Sequence, residues 1–315
     1  MSGLRGCAVA AALVLLASGR GLAGPAPAAD AHADTSAAYS ANGADTCLVC
    51  HYSPQLMGLF RTKHAQPNDP RGPFGHGGLQ CEACHGPGGA HVKARGREPA
   101  GIIDFGHPGA SAPDKQNAMC LGCHRANAAH DWDASAHAAS GVACASCHTL
   151  HAAQDPVRAA ETQIEVCTTC HQAQHTDLYK LSHHPLREGK MACADCHSPH
   201  GSTALAQLTH NTVNETCTTC HAEFRGPFLW EHQPVTEDCD NCHEPHGSAQ
   251  PSLLKVRTPF LCQQCHEGAG HPSVPNTPQG LPGGMPSAFL LAGGCINCHS
   301  QVHGSNHPSG RALMR

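Results

Sequence analysis

Two cysteines separated by two residues and followed at once by histidine recur ten times in this chain. The cysteine pairs are Cys47 and Cys50, Cys81 and Cys84, Cys120 and Cys123, Cys144 and Cys147, Cys167 and Cys170, Cys193 and Cys196, Cys217 and Cys220, Cys239 and Cys242, Cys262 and Cys265, and Cys295 and Cys298. The histidines that follow them are His51, His85, His124, His148, His171, His197, His221, His243, His266 and His299. Random arrangement of this composition would yield about 0.1 such motifs. Only Cys7, near the start of the chain, lies outside the pattern. The spacing suits one chemistry. Each thiol adds to one vinyl group of a porphyrin, giving two thioethers. The adjacent imidazole then falls under the iron as proximal ligand. Ten motifs imply ten covalently bound c-type haems.

Other uses of paired cysteines fit less well. A zinc ribbon needs two knuckles per metal and no histidine after each. A thioredoxin-like motif occurs once, beside a βαβ pattern. A disulfide framework does not hold every pair at one spacing with histidine following.

A haem that reacts with substrate at iron keeps one axial position open, whereas an electron carrier fills both. The chain has 28 histidines, so 18 remain beyond the proximal ten. Ten of these are candidates for the second axial position: His64, His91, His137, His151, His184 (from the adjacent pair His183 and His184), His200, His232, His246, His271 and His303. His151, His200 and His246 sit three residues beyond a proximal histidine. They are too near it to reach round the same haem, so they are expected to serve a neighbour and cross-link consecutive haems. His76, His107, His307 and Met285 compete at the two ends. The other histidines, including His32, His130, His175 and His210, read as surface groups. A supply that matches ten distal sites predicts ten six-coordinate irons. No catalytic residue is nominated.

The elements that position these groups are repeats. The motifs fall into five pairs, with a histidine after each motif. First motifs recur at 73, 47, 50 and 45 residues, a period that marks stacked units with atypical ends. Short helices are expected where residues 161–166 and 214–216 lead into motifs. Pro-Gly clusters at 67–78, 86–89 and 268–294 read as loops. No period-2 run predicts a sheet. Aromatics are only 4%, with 33 Gly and 24 Pro in 315 residues, so the apolar interior must come largely from porphyrin. The expected fold class is a multihaem cytochrome: mostly short α-helices and irregular loops wrapped around a haem chain, with little or no sheet.

Residues 1–24 read as a secretory signal, with Arg5 before an 11-residue apolar run from Cys7 to Ala17. Cleavage could fall after Ala23, Ala28 or Ala33. That run is too short for a membrane span, which needs about 20 apolar residues. Residues 25–46 read as a flexible tail. Two diheme repeats occupy 47–166, three occupy 167–304, and 305–315 form a C-terminal tail. The formal charge is −5 with no basic stripe, which argues against a nucleic-acid partner.

The ten motifs, the leader, the length and the recurring units Cys196-His-Ser-Pro-His-Gly-Ser202 and Cys242-His-Glu-Pro-His-Gly-Ser248 resemble the MtrA/DmsE-type decahaem cytochromes. The resemblance covers roughly residues 45–304. It implies a periplasmic protein inside an outer-membrane β-barrel partner, passing electrons between periplasm and cell exterior and meeting other periplasmic or extracellular cytochromes. Two other classes remain open on sequence alone: a multihaem reductase of small nitrogen or sulfur oxyanions with one open iron, and a free periplasmic electron shuttle.

Overall fold

The computed structural model describes residues 38–75, 78–97, 101–127, 129–266 and 294–314. The leader, His32, His76, His271 and Met285 lie outside these. Contacts group residues 37–315 as one unit.

Every motif closes one helical turn. The histidine N–H donates to the carbonyl of the first cysteine four residues back, as in His51 to Cys47 (2.9 Å), His197 to Cys193 (3.0 Å) and His299 to Cys295 (2.9 Å). This i→i−4 closure brings the imidazole round to the side of the first thiol. The two motifs of a repeat reach that turn differently. First motifs sit at the ends of α-helices: Ala44–Leu48, Pro113–His124, Ala160–Thr168, Val213–Cys217 and Phe260–Gln263. Second motifs open 3-10 turns at Cys144–Ser146, Cys193–Asp195, Cys239–Asn241 and Cys295–Asn297. In the first repeat the equivalent turn is the short helix Glu82–His85.

The helices are too short to stand on propensity, so their ends are fastened. Pro113 starts its helix at a position where no N–H is needed. Thr212 and Glu215 form a capping box: the hydroxyl accepts from the Glu215 N–H (3.1 Å) and the carboxylate from the Thr212 N–H (3.2 Å).

Among the described residues there is no strand, only isolated bridges such as Ser182 with Ser248 and His197 with Leu208. Among the described residues the buried apolar ones are few: Leu121, Trp132, Ile164, Leu178 and three alanines. Such a core is too small to hold a chain of this length by itself. No described helix is long and apolar enough to cross a membrane.

The segments flanking the repeats carry structure where they are described. Within 38–46, the Ser40 N–H and hydroxyl donate to the buried Glu82 carboxylate (3.0 and 2.7 Å), and Ala38 O accepts from Gly89 N (2.9 Å). Beyond 304, Ser305 bridges to Trp230 and Gly310–Ala312 forms a 3-10 turn.

Candidate haem sites

Within the second, third and fourth repeats, side chains outside the motif dock the second motif on the first. Asn117 lies three residues before Cys120. Its amide NH2 donates to Val142 O (3.0 Å), and its oxygen accepts from the Cys144 N–H (2.7 Å). Asn214, three residues before Cys217, makes the matching pair with Val235 O (2.9 Å) and Cys239 N (2.7 Å). Gln163 substitutes in the third repeat, taking Ala194 N (2.9 Å). Sequence reasoning passed over these residues. The signal was present: asparagine stands three residues before the first cysteine in both the second and fourth repeats.

This docking brings together the first thiols of the two motifs. Cys47 lies beside Cys81, Cys120 beside Cys144, Cys167 beside Cys193, Cys217 beside Cys239 and Cys262 beside Cys295. Between repeats the second thiols approach. Burial, and then the charge of Cys123, push the Cys84 thiol up; Cys147 responds likewise to Cys170, and Cys196 to burial, Asp195 and Cys220. The Cys242 thiol is raised by burial and then Cys265. The ten attachment points therefore follow one another in sequence order, alternating first-thiol and second-thiol contacts.

The histidines pair across repeats. Two imidazoles that shared one metal ion would have ring centres about 6.3 Å apart, taking about 2.0–2.1 Å for a metal–nitrogen bond and about 1.1 Å from nitrogen to ring centre. Nine pairs in the structure lie near that value. On the first motifs, His64 faces His124 (6.0 Å), His137 faces His171 (6.1 Å), His184 faces His221 (6.3 Å) and His232 faces His266 (6.1 Å). On the second motifs, His151 faces His85 (6.1 Å), His200 faces His148 (5.9 Å), His246 faces His197 (6.0 Å) and His303 faces His243 (6.2 Å). The histidine after a first motif thus reaches forward to the next repeat, while the one after a second motif reaches back. Each junction between repeats is stitched by two reciprocal pairs. At the N-terminal end the pattern closes on itself, with His91 facing His51 at 6.1 Å.

His151, His200 and His246 thus face the imidazole two motifs back and not that of the adjacent motif. Apart from His51 with His91, each trailing histidine faces the next motif but one. At the last two junctions the reason lies in the backbone. Ser182 and Ser248 exchange both backbone hydrogen bonds (2.9 and 2.8 Å), as do Trp230 and Ser305 (2.8 and 2.9 Å). Each bridge lies two residues before a forward-reaching histidine and two after a backward-reaching one, which places both.

Several imidazoles are held through Nδ1, leaving Nε2 for a metal. His137 donates to Pro199 O (2.9 Å), His184 to Pro245 O (2.8 Å) and His232 to Val302 O (2.9 Å). Among the histidines that close the motifs, His85 donates to Ile103 O (2.8 Å), His197 to Ala206 O (3.0 Å), His243 to Ser252 O (2.8 Å) and His299 to Ala312 O (2.6 Å). Ala206 and Ser252 are left-handed, at φ 52° and 56°, a conformation costly for these residues and kept here where the carbonyl meets the ring. A carbonyl can only accept, so the tautomer is set and the ring aimed. Burial, and then the facing imidazole, hold His64, His151, His246 and His303 below the ordinary histidine range, so the ligating neutral form is favoured.

The histidines left over behave differently. His183 bonds Lys180 O (3.0 Å) and approaches Glu188 (3.4 Å). His107 pairs with Asp104, and His130 with Asp131. His307 bonds Ser309. His271 lies outside the described residues.

The donor set fits haem: paired thiols on a helical turn, two facing imidazoles and fixed tautomers. Comparison with known proteins agrees. A family model described as a doubled CXXCH motif matches residues 183–226 and 232–271. A model described as cytochrome c-type protein NrfB-like matches 81–164. The chain is 50% identical over 281 residues to the multiheme cytochrome MtrA of Shewanella baltica (strain OS185), covering 88% of this chain and 83% of that protein. This chain belongs to the MtrA family of multihaem c-type cytochromes, with covalently bound haems and a role in electron transfer.

Proposed function

We propose that all ten motifs carry haem, that each iron is held by two histidines, and that the chain conducts electrons between periplasm and cell exterior inside an outer-membrane β-barrel partner. The observation that carries this reading is the unbroken order of attachment points, thiol beside thiol, from Cys47 to Cys295. Haem irons supply the one-electron chemistry. The chain holds each site against the next and aims the imidazoles, so that little has to move when an electron arrives.

The nine facing pairs support assigning His51, His85, His124, His148, His171, His197, His221, His243 and His266 as proximal ligands. Their partners are His91, His151, His64, His200, His137, His246, His184, His303 and His232. The tenth pair follows from closure. At the N-terminal end, the first motif takes the histidine that trails the second motif of its own repeat. The mirror of this at the other end assigns His271 to the iron of His299.

A backbone with so little regular structure cannot face lipid, but it can lie within a closed barrel. The partner and the periplasmic setting come from kinship with MtrA.

Two measurements test the reading. The mass of the purified protein should correspond to ten haems, with only low-spin ferric signals in electron paramagnetic resonance. A stable high-spin haem in the resting protein would overturn full bis-histidine ligation and favour catalysis at an open iron. The tagged chain should also bring down an outer-membrane barrel protein from solubilised membranes. Recovery solely as a free periplasmic protein would overturn the conduit's placement.

A further inference from the structure

One proximal histidine is held by a charge. His148 donates its Nδ1–H to the Asp155 carboxylate at 2.6 Å, whereas His85, His197, His243 and His299 donate to backbone carbonyls. The local chain explains the change. In the third and fourth repeats the loop after the second motif folds back, so that the carbonyl nine residues beyond the histidine reaches Nδ1. In the second repeat the chain turns at Asp155-Pro156, and a side chain takes the place of the carbonyl. The other carboxylate oxygen accepts from the Thr149 N–H (3.1 Å), so the group is fixed on both sides. The Asp155 side chain is 13% exposed, so water screens it little. The only comparable approach in the described residues is Glu223 to His221 Nδ1, at 3.6 Å and with the carboxylate 61% exposed; it is too long for a hydrogen bond.

A carboxylate acceptor draws the Nδ1 proton away from the ring and makes the imidazole a stronger donor at Nε2. A stronger donor stabilises ferric over ferrous iron. We infer that Asp155 is a positioning and tuning residue that lowers the reduction potential of the haem bound through His148 relative to the haems on His85, His197 and His243. This rests on the assignment of His148 as a proximal ligand.

The test is Asp155→Asn in the full-length, haem-loaded protein. Asparagine keeps the size and one acceptor oxygen for Nδ1–H, puts its NH2 where Thr149 N–H had the second oxygen, and removes the charge. Spectroelectrochemical titration should show one midpoint shifted upward and the others unmoved, with haem count and low-spin state unchanged. No shift in a fully loaded variant would overturn the inference. Should the variant lose haem, the wild-type protein decides: an imidazole with anionic character gives one low-spin signal with a narrower g spread than its neighbours, and absence of any such signal counts against the proposal. His148→Met separates the two levels. If that variant changes one haem while Asp155→Asn changes none, only the tuning fails. If it changes none, the ligand assignment fails.

Discussion

A methyl group added at Gly247 would lie 1.9 Å from the carbonyl oxygen of Asp177, in the preceding repeat. Gly201 stands in the same relation to Asp131 O, at 2.5 Å. These are the glycines of the recurring Pro-His-Gly-Ser units, and their smallness lets one repeat press its backbone on the last. Gly247→Ala should therefore push the loop off its neighbour and draw His246 away from His197. The expected cost is about 1–3 kcal/mol from overpacking, read as a lower melting temperature. One haem should also show weakened ligation in its absorption and spin state.

Adjacent histidines 183 and 184 differ sharply. His184 faces His221 and donates to Pro245 O, while His183 turns to Lys180 and Glu188. His184→Met should raise one midpoint, since Met/His ligation lies above bis-histidine. His183→Gln should leave all midpoints where they were. Reversal of the two results would reassign the ligand.

Ring orientation predicts two kinds of ferric signal. The planes of His137 and His171 meet at 82°, those of His64 and His124 at 65°, and those of His184 and His221 at 53°. The rings of His243 and His303 are 17° apart and those of His197 and His246 23° apart. Near-parallel rings push on the same iron d orbital and split it from its partner, which gives rhombic spectra. Near-perpendicular rings push on both equally and give strongly anisotropic spectra with a large gmax. The three wide-angle pairs should contribute such large-gmax signals, and replacing His137 should remove one of them.

Asn117 is buried and holds Val142 O and Cys144 N at once. Asn117→Leu removes both partners and leaves the Cys144 N–H without its acceptor, at a cost of about 1–3 kcal/mol. Thermal unfolding should shift down accordingly. An unchanged melting temperature would show that this docking contributes nothing.

The attachment chemistry was legible in the residues because it is local. Two thiols and an imidazole within five positions close a single helical turn wherever they occur, so the sites of haem attachment needed no knowledge of the rest of the fold. The lack of period-2 runs likewise foretold short helices and loops, with no strand among the described residues.

The tertiary structure decided which distant imidazole faces which motif. His246 and His197 belong to different repeats, and nothing near either residue names the other. Their meeting depends on the Ser182–Ser248 bridge and on the closeness that Gly247 permits. The same holds for Asp155, an ordinary acidic residue in the sequence that becomes a partner of His148 only because the chain turns there. Local covalent geometry specifies the proximal side of each site. Through-space packing, mostly between successive repeats, specifies which imidazole faces it.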